Sequence, residues 1–284
     1  MTAALAGGLL LALASAAALN WGYFVQHGVA SALPPLTLRR PLASLRLLFG
    51  NLRWLVGFFV GIGGWVLYVA ALALAPLSLV QAASAGGIGL LALLASRHAS
   101  LKAWERRGVA VAVAGLVLLG ISLAGRTTTA TVGDWGAVAA WVAVSVALAG
   151  VAASRRSAAG LGIAAGILYS AGDVATKAAV HGGARLGFVP VLLACHGLAF
   201  VALQLGFQRG GVLATAGLAT LFTNALPIAA GTTLFGEGLG SLPAVRVLAF
   251  ACTVAGAALL ARPGEVEPPR PVALPAAARP IPFD

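Results

Sequence analysis

Asp173 is an acidic residue deep inside an apolar stretch of the sequence, the segment 158–180. Tyr169, Thr176 and Lys177 fall on the same face of a helix as Asp173. A charged side chain at the middle of a membrane helix costs about 2.5–3.5 kcal/mol on insertion scales. This face therefore predicts a solute or proton site that points into a helix bundle. The alternative is that Asp173 and Lys177 neutralise each other, or that Lys177 extends to the membrane surface.

Two other apolar segments carry amide and hydroxyl side chains. Gln81 and Ser84 precede a glycine-rich run, and Asn224 lies three residues before Pro227. Polar, irregular helix at membrane depth is tolerated only inside protein or beside a water-filled cavity. We expect Gln81, Ser84 and Asn224 to contribute to the same solute site as Asp173, although a serine can also satisfy its hydroxyl group on its own helix.

Sequence motifs of enzymes are missing from this chain. The glycine-rich stretches do not follow strands, so they are not phosphate loops, and no carboxylates are paired at catalytic spacing. The two cysteines have no neighbouring histidine or cysteine, which argues against a zinc site. We predict neither enzymatic activity nor a bound cofactor or metal. His196 could relay protons, but a satisfied hydrogen bond between helices is the simpler explanation.

The composition predicts a polytopic α-helical membrane protein. Of the 284 residues 60% are hydrophobic and 9% are charged, whereas a soluble domain carries about 25% charged residues. Because a helix needs about 20 apolar residues to cross a bilayer, residues 1–262 can form a single transmembrane domain, and the proline-rich tail 263–284 is predicted to be disordered. Nine spans are predicted, at residues 3–25, 52–74, 76–96, 107–125, 135–153, 158–180, 187–208, 212–235 and 242–262.

The net charge of +11 is explained by basic loops rather than by nucleic-acid binding. Lys and Arg collect in the loops that become cytoplasmic if the N-terminus lies outside and the C-terminus inside. The exceptions among the 18 basic residues are Arg126, Lys177, Arg185 and Arg246. The sequence thus predicts a multi-pass protein of a bacterial-type inner membrane, in contact with lipids. Three tryptophans near span ends are predicted to anchor at the interface: Trp54, Trp104 and Trp135.

Small residues are spaced for close helix packing. Gly57 and Gly61 lie four residues apart in one predicted span, and Gly162 and Gly166 do so in another. This spacing lets two helix backbones approach each other closely. We expect the glycines to pack inside the bundle, while a homodimer face remains an alternative and the oligomeric state stays open.

Two passages of the sequence resemble the drug/metabolite transporter superfamily, of the EamA-like type. One is residues 75–81 (APLSLVQ), followed by a glycine-rich helix, and the other runs from residues 211–214 (GVLA) through Asn224 to residues 234–237 (LFGE). The nine-span layout and residues 26–28 (QHG) are most similar to the NIPA-type magnesium transporters. The resemblance implies two inverted-repeat halves, a solute site near mid-membrane between them, and alternating access.

The magnesium activity of that family does not transfer simply to this sequence. An acidic residue of the second span is replaced here within residues 61–65 (GIGGW), and Asn224 stands where many relatives have a glutamate. Mg²⁺ dehydrates reluctantly and usually binds carboxylates, so the sequence favours a secondary transporter of a small organic or amphipathic solute. The alternatives are a NIPA-type magnesium transporter and, in another class, a non-transporting partner that regulates another membrane complex.

Overall fold

The chain folds entirely into helices over the residues that the structure, a computed structural model, describes: 3–37, 39–84, 86–97, 100–123, 132–236 and 242–262. A 3₁₀ turn at Gly183–Gly187 precedes the ninth helix, and a π-helical turn at Leu213–Gly217 precedes the tenth. The α-helices are α1 (Ala3–Ala30), α2 (Pro41–Phe49), α3 (Leu52–Leu74), α4 (Leu77–Ser84), α5 (Gly86–Ser96), α6 (Ala103–Leu123), α7 (Trp135–Ser154), α8 (Ala158–Ala179), α9 (Phe188–Phe207), α10 (Leu218–Leu234) and α11 (Pro243–Leu260).

The bundle has the dimensions of a membrane protein, as predicted. Seven helical segments of the described chain are long and apolar enough to cross a membrane. Helix α11 has a shorter apolar stretch, Ala244–Leu260, and α6 begins with the charged residues Glu105, Arg106 and Arg107. A helical membrane bundle is thus confirmed, whereas the nine-span count, the inverted repeat and the orientation stay predictions. The predicted disordered tail, 263–284, lies outside the described residues.

Local sequence signals explain where several helices begin. The side chains of Asn51, Asp134 and Ser157 each accept a hydrogen bond from the backbone N–H three residues later, at 3.0, 2.8 and 3.0 Å, which satisfies a donor that the helix leaves unpaired. A two-residue turn at Ala75 and Pro76 separates α3 from α4. That turn brings α4 back toward the end of α3.

Helix α8 is the buried centre of the bundle. It packs against α7, α9 and α10, and almost all of its side chains are buried. A Cβ atom at Gly162 would lie 2.5 Å from the Thr215 carbonyl oxygen, and one at Gly166 would lie 2.6 Å from the Ala219 carbonyl oxygen. The prediction that these glycines pack within the bundle is therefore confirmed.

The glycines Gly57 and Gly61 serve the contact between α1 and α3. A Cβ atom at Gly57 would lie 3.1 Å from the Gly22 carbonyl oxygen of α1, and one at Gly61 would lie 3.7 Å from Nε2 of Gln26. This contact holds α1 along the same side of the bundle as α3. Because α1 carries several polar side chains, the close contact fixes where they point.

The short helix α2 was not predicted, and it overturns the expectation for Trp54. Instead of anchoring at the membrane interface, Trp54 is fully buried and its indole N–H donates to Oε1 of Gln204 at 3.2 Å. The rings of Phe49 on α2, Phe58 and Phe200 surround it, with centroids 5.1–5.9 Å away. Trp135, by contrast, is 54% exposed, and Trp104 is half-buried beside the Lys102 ammonium group.

Replacing Gly162 by alanine should lower the stability of the protein. The added methyl group would press on the backbone of the π-helical turn, and overpacking of this kind costs about 1–3 kcal/mol. Thermal unfolding of the purified protein in detergent measures the effect. The matched control is Gly63→Ala on α3, because a Cβ atom there meets nothing within 4 Å. Equal melting temperatures for the two variants would contradict the close packing of α8 on α10.

Candidate functional site

A cavity of about 410 Å³ lies between helices of the N-terminal part and helices of the C-terminal part of the chain. It follows α1 from Ser15 to Gln26, which is about 16 Å of helix. Helices α1, α3 and α4 line one side, and α8, α9 and α10 line the other. The polar and aromatic side chains at its walls are Ser15, Asn20, Tyr23, Gln26, Phe49, Phe58, Trp65, Tyr68, Gln81, Ser84, Tyr169, Asp173, His196, Phe200, Thr220, Thr223 and Asn224.

Of the described residues that line this cavity, Asp173 is the one that carries a carboxyl group. Its side chain is 4% exposed. Oδ2 accepts a hydrogen bond from Nε2 of Gln81 at 3.0 Å, and Oδ1 lies 3.5 Å from Nε2 of His196. The Tyr68 hydroxyl is a further hydrogen-bonding neighbour of the carboxyl group and also accepts from Nε2 of Gln81 at 2.7 Å. The carboxyl group is thus held between α3, α4 and α9.

The hydrogen bonds of His196 define its neutral tautomer. Nδ1 lies 2.8 Å from the Leu192 carbonyl oxygen, which can only accept, so Nδ1 carries the hydrogen. The Trp65 indole nitrogen lies 3.2 Å from Nε2, and an indole N–H can only donate, so Nε2 is the acceptor. The Nε2 lone pair therefore also faces Oδ1 of Asp173. A single proton shared between Oδ1 of Asp173 and Nε2 of His196 would give these two atoms a favourable hydrogen bond.

The position of the His196 ring depends on a glycine. A Cβ atom at Gly172 would collide with Nδ1 and Cε1 of His196, so a larger residue there would push the ring away from α8. Tyr169 and Trp65 flank the ring in edge-on contacts, each with centroids 5.6 Å apart. The histidine is thereby fixed beside Asp173 at the wall of the cavity.

Two further side-chain hydrogen bonds join α1 to the C-terminal helices, and a third lies within α10. Thr220 donates to Oδ1 of Asn20 at 3.1 Å, and Asn224 donates to the Thr220 carbonyl oxygen at 2.7 Å. Deeper along α1, Gln204 donates to Oε1 of Gln26 at 2.6 Å. These bonds join the two sides of the cavity and leave amide and hydroxyl groups at its surface.

The structure brings together most of the predicted site residues. Asp173, Gln81, Asn224, Tyr169 and Ser84 line the cavity. The serine hydroxyl donates to the Val80 carbonyl oxygen of its own helix at 2.9 Å, as one of the alternatives foresaw. His196 is hydrogen-bonded to another helix, as expected, but it also belongs to the site.

Lys177 and Thr176 have other neighbours. Nζ of Lys177 donates to the carbonyl oxygens of Leu72 and Ala75 at 3.2 and 3.4 Å, at the C-terminal end of α3, where carbonyl groups are unpaired and the helix dipole is negative. Thr176 donates to the Gly172 carbonyl oxygen of its own helix at 2.8 Å. Both residues are buried, yet neither is among the described residues that line the cavity.

No three histidine, cysteine, aspartate or glutamate side chains come together as a metal-binding group in the described part of the chain. An ion that enters the cavity would therefore meet one carboxyl group, the His196 ring, and a few amide and hydroxyl groups. This set of groups suits an ion that keeps its hydration shell and contacts the protein through water. It is less suited to an ion that has lost all of its water, and Mg²⁺ is rarely bound by protein ligands alone.

A curated relative, named "Probable magnesium transporter NIPA9" from Arabidopsis thaliana, is 27% identical in an alignment of 265 positions that covers 84% of this chain and 76% of the relative. No family model and no solved structure matches the chain. The similarity and the apolar helices together support a NIPA-like, multi-pass membrane protein. The relative is named as a transporter, which agrees with the prediction that the chain is not an enzyme. The wider superfamily and the membrane of residence stay predictions.

The assigned tautomer of His196 can be measured directly. We expect the ¹⁵N spectrum of the labelled protein near neutral pH to show the Nδ1–H form of His196, because of the Leu192 carbonyl and the Trp65 indole group. The signal is identified by its loss in His196→Gln, and the chain has only 4 histidines. Trp65→Phe, which removes the indole N–H, should weaken the preference. An Nε2–H tautomer in the unmodified protein would overturn this assignment.

Proposed function

We propose that the chain is a secondary transporter that carries a divalent cation of the Mg²⁺ type through the cavity at Asp173. The observation that carries the proposal is a buried carboxyl group at the wall of a cavity that is lined by helices from the N-terminal and C-terminal parts of the chain. Buried ionisable groups in membrane helices commonly mark ion or substrate paths. The name of the NIPA9 relative agrees with the magnesium alternative better than with the organic solute that the sequence favoured.

The volume of the cavity suits a hydrated ion. Six octahedral waters at about 30 Å³ each occupy roughly 180 Å³, and the cavity measures about 410 Å³. A Mg²⁺ ion can therefore enter with its first shell of water intact. Its waters would donate to the carboxylate of Asp173 and to the side-chain oxygens of Asn20 and Asn224, and the ion need not dehydrate.

A single carboxylate gives weak binding, which is what a carrier needs. An ion that binds too tightly cannot leave, so transport requires a site that is favourable to enter and easy to exit. Here the acidic residue expected in residues 61–65 and the glutamate expected at position 224 are replaced by uncharged residues. The cavity holds its cargo by one charge and by several hydrogen bonds.

The pair of Asp173 and His196 couples the cation to a proton. A cation that approaches Asp173 repels any proton held between Oδ1 and Nε2, since both positive charges would share one carboxyl group. In the absence of the cation the proton can return and neutralise the buried carboxylate. Exchange of the cation for a proton follows from this competition, with alternating access supplied by movement of the helices around the cavity.

The aromatic walls favour a second candidate, an organic cation. Tyr23 and Tyr169 stack with centroids 6.5 Å apart, and Trp65, Phe58 and Phe200 also face the cavity. Aromatic faces attract quaternary ammonium groups, and Asp173 would supply the counter-charge. This candidate keeps the same site and changes only the cargo, so one binding experiment separates the two.

Asp173→Asn should abolish cation binding and transport while the protein still inserts into the membrane, because the amide removes the charge and keeps the shape. The measurement is the melting temperature of the purified protein against MgCl₂ and against tetraethylammonium chloride, since a bound ligand stabilises the folded state. We expect a saturable rise with Mg²⁺ in the unmodified protein and none in the variant.

The matched control is Asp134→Asn, which removes an exposed carboxylate that caps α7 and can be replaced there by an asparagine cap. It should keep the full response to Mg²⁺. A saturable shift with tetraethylammonium and none with Mg²⁺ would establish the organic cation instead. Normal binding and transport by Asp173→Asn would reject the site for either cargo.

Proton competition predicts that the apparent affinity for Mg²⁺ falls as the pH is lowered. The physical reason is that a protonated carboxyl group is neutral and no longer attracts the ion. In a weakly buffered solution, MgCl₂ added to the detergent-solubilised protein should release protons, which a pH indicator dye detects. Asp173→Asn should release none, and Asp134→Asn should release as many as the unmodified protein. Binding of Mg²⁺ that is independent of pH and releases no protons would exclude the coupling.

A further inference from the structure

A second cavity, of about 500 Å³, opens as a groove between α7 and α9 with α8 as its floor. We call it the α7–α9 groove. Its walls are mostly apolar and include Val146 on α7, Leu161 and Leu168 on α8, and Leu198 and Leu205 on α9. Several of these side chains are exposed, including Val146 and Leu198 at 42% and 54%. The groove is separate from the Asp173 cavity, with which it shares no lining residue.

Three arginines from three different elements lie at one end of this groove. Arg39 follows α1, Arg156 lies in the turn between α7 and α8, and Arg209 follows α9. No acidic residue is among the described residues that line the groove. All three arginines are exposed, and one guanidinium group, that of Arg209, donates to the Leu205 carbonyl oxygen at 2.7 Å. The end of the groove is therefore a positively charged rim.

The chain around Arg39 is held in place by α9. Gln208 donates to the carbonyl oxygens of Ala30, Leu33 and Pro34 at 3.1, 3.3 and 3.0 Å. Its Oε1 accepts from the Leu36 backbone N–H at 2.7 Å. The Gln208 side chain, at the end of α9, thus holds the segment that leads to Arg39. Arg39 therefore stays at the same end of the groove as Arg209.

The backbone at Arg156 is an unusual feature of the rim. Its φ angle is +50°, and among the described residues Arg156 is the only one other than glycine with a positive φ angle. The position after a helix end is most often occupied by glycine, which adopts this conformation without strain. An arginine at such a position is disfavoured by the backbone. A glycine at this position would keep the same backbone conformation.

The length of the groove matches one leaflet of a bilayer. Along α9 it extends from Leu198 to Arg209, which is about 16 Å of helix, and half of a hydrocarbon core of about 30 Å is about 15 Å. An acyl chain that lies along the apolar walls would place its headgroup at the arginine rim. The positive charge at one end and the apolar length of the groove together indicate a ligand with an anionic headgroup and an acyl chain.

We propose that the α7–α9 groove is a binding site for an anionic phospholipid, with one acyl chain along α8 and the headgroup phosphate at Arg39, Arg156 and Arg209. Basic clusters between membrane helices on the cytoplasmic side are suited to anionic headgroups. This is also the side on which the charge distribution of the sequence places the three arginines. The site stands independently of the proposed transport function.

The test compares lipids that share the same acyl chains. Purified full-length protein is melted in detergent with added palmitoyl-oleoyl phosphatidylglycerol, with palmitoyl-oleoyl phosphatidylcholine, or with inorganic phosphate. We expect a saturable rise in melting temperature with phosphatidylglycerol alone. An equal rise with phosphatidylcholine would show that charge does not matter, and an equal rise with inorganic phosphate would show a free anion site. Either result overturns the proposal.

The sharpest variant is Arg156→Gly, because glycine suits the positive φ and the folded backbone is kept. Its matched control is Arg155→Ala, the neighbouring exposed arginine, which does not line the groove. Both variants lose one positive charge. At about fivefold in affinity for each arginine near the surface, Arg156→Gly should weaken the response to phosphatidylglycerol about fivefold, and Arg155→Ala should leave it unchanged.

The triple variant Arg39→Gln, Arg156→Gly and Arg209→Gln should weaken the response by about a hundredfold on the same scale. Asp173→Asn should respond to phosphatidylglycerol like the unmodified protein, because it lies in the other cavity. Equal losses in Arg156→Gly and Arg155→Ala would show general attraction to the protein surface and would reject the groove as the site.

Discussion

The burial of the Asp173 carboxyl group in an apolar bundle is the constraint on which the structure of the cavity depends. A charge at this depth costs about 2.5–3.5 kcal/mol on insertion scales, so its neighbours must offset that cost. Gln81 on α4 donates to Oδ2, the Tyr68 hydroxyl on α3 is a further hydrogen-bonding neighbour, and His196 on α9 lies beside Oδ1. Each of these partners must itself be held, Gln81 by the tight turn after α3, and His196 by bonds to Trp65 and Leu192.

Small residues make this arrangement possible, because polar side chains can meet only if the backbones lie close together. Gly162 lets the π-helical turn approach one face of α8, Gly166 does the same for α10, and Gly172 allows the His196 ring to lie against α8 as well. On the side where α1 and α3 face α8, larger aromatic and amide side chains hold the helices apart. The small residues of α8 allow tight packing on one side of the helix. The larger side chains around its other side leave the cavity open.

The sequence predicted the parts of the site that are polar within an apolar span, such as Asp173, Gln81 and Asn224. Helical spacing also placed Lys177 on that face, but spacing fixes only the Cα direction. The long lysine side chain reaches the unpaired carbonyl groups at the end of α3. The role of His196 depends on contacts with other helices, above all Trp65, and these are not visible in one sequence. Trp54 was misplaced for a related reason, since the covering helix α2 was not predicted.

Under the proposed function, the protonation state of His196 would affect how strongly a divalent cation binds in the cavity. A protonated His196 beside an ionised Asp173 would leave the pair neutral, and a divalent cation would then gain little from entering. The indole N–H of Trp65 donates to Nε2, and with a neutral ring the pair would carry the single negative charge of the ionised carboxylate. Mg²⁺ at this site would keep one uncompensated positive charge, which its hydration shell spreads over the amide and hydroxyl walls. Under the proposed function, the indole group would act on the cargo through the histidine.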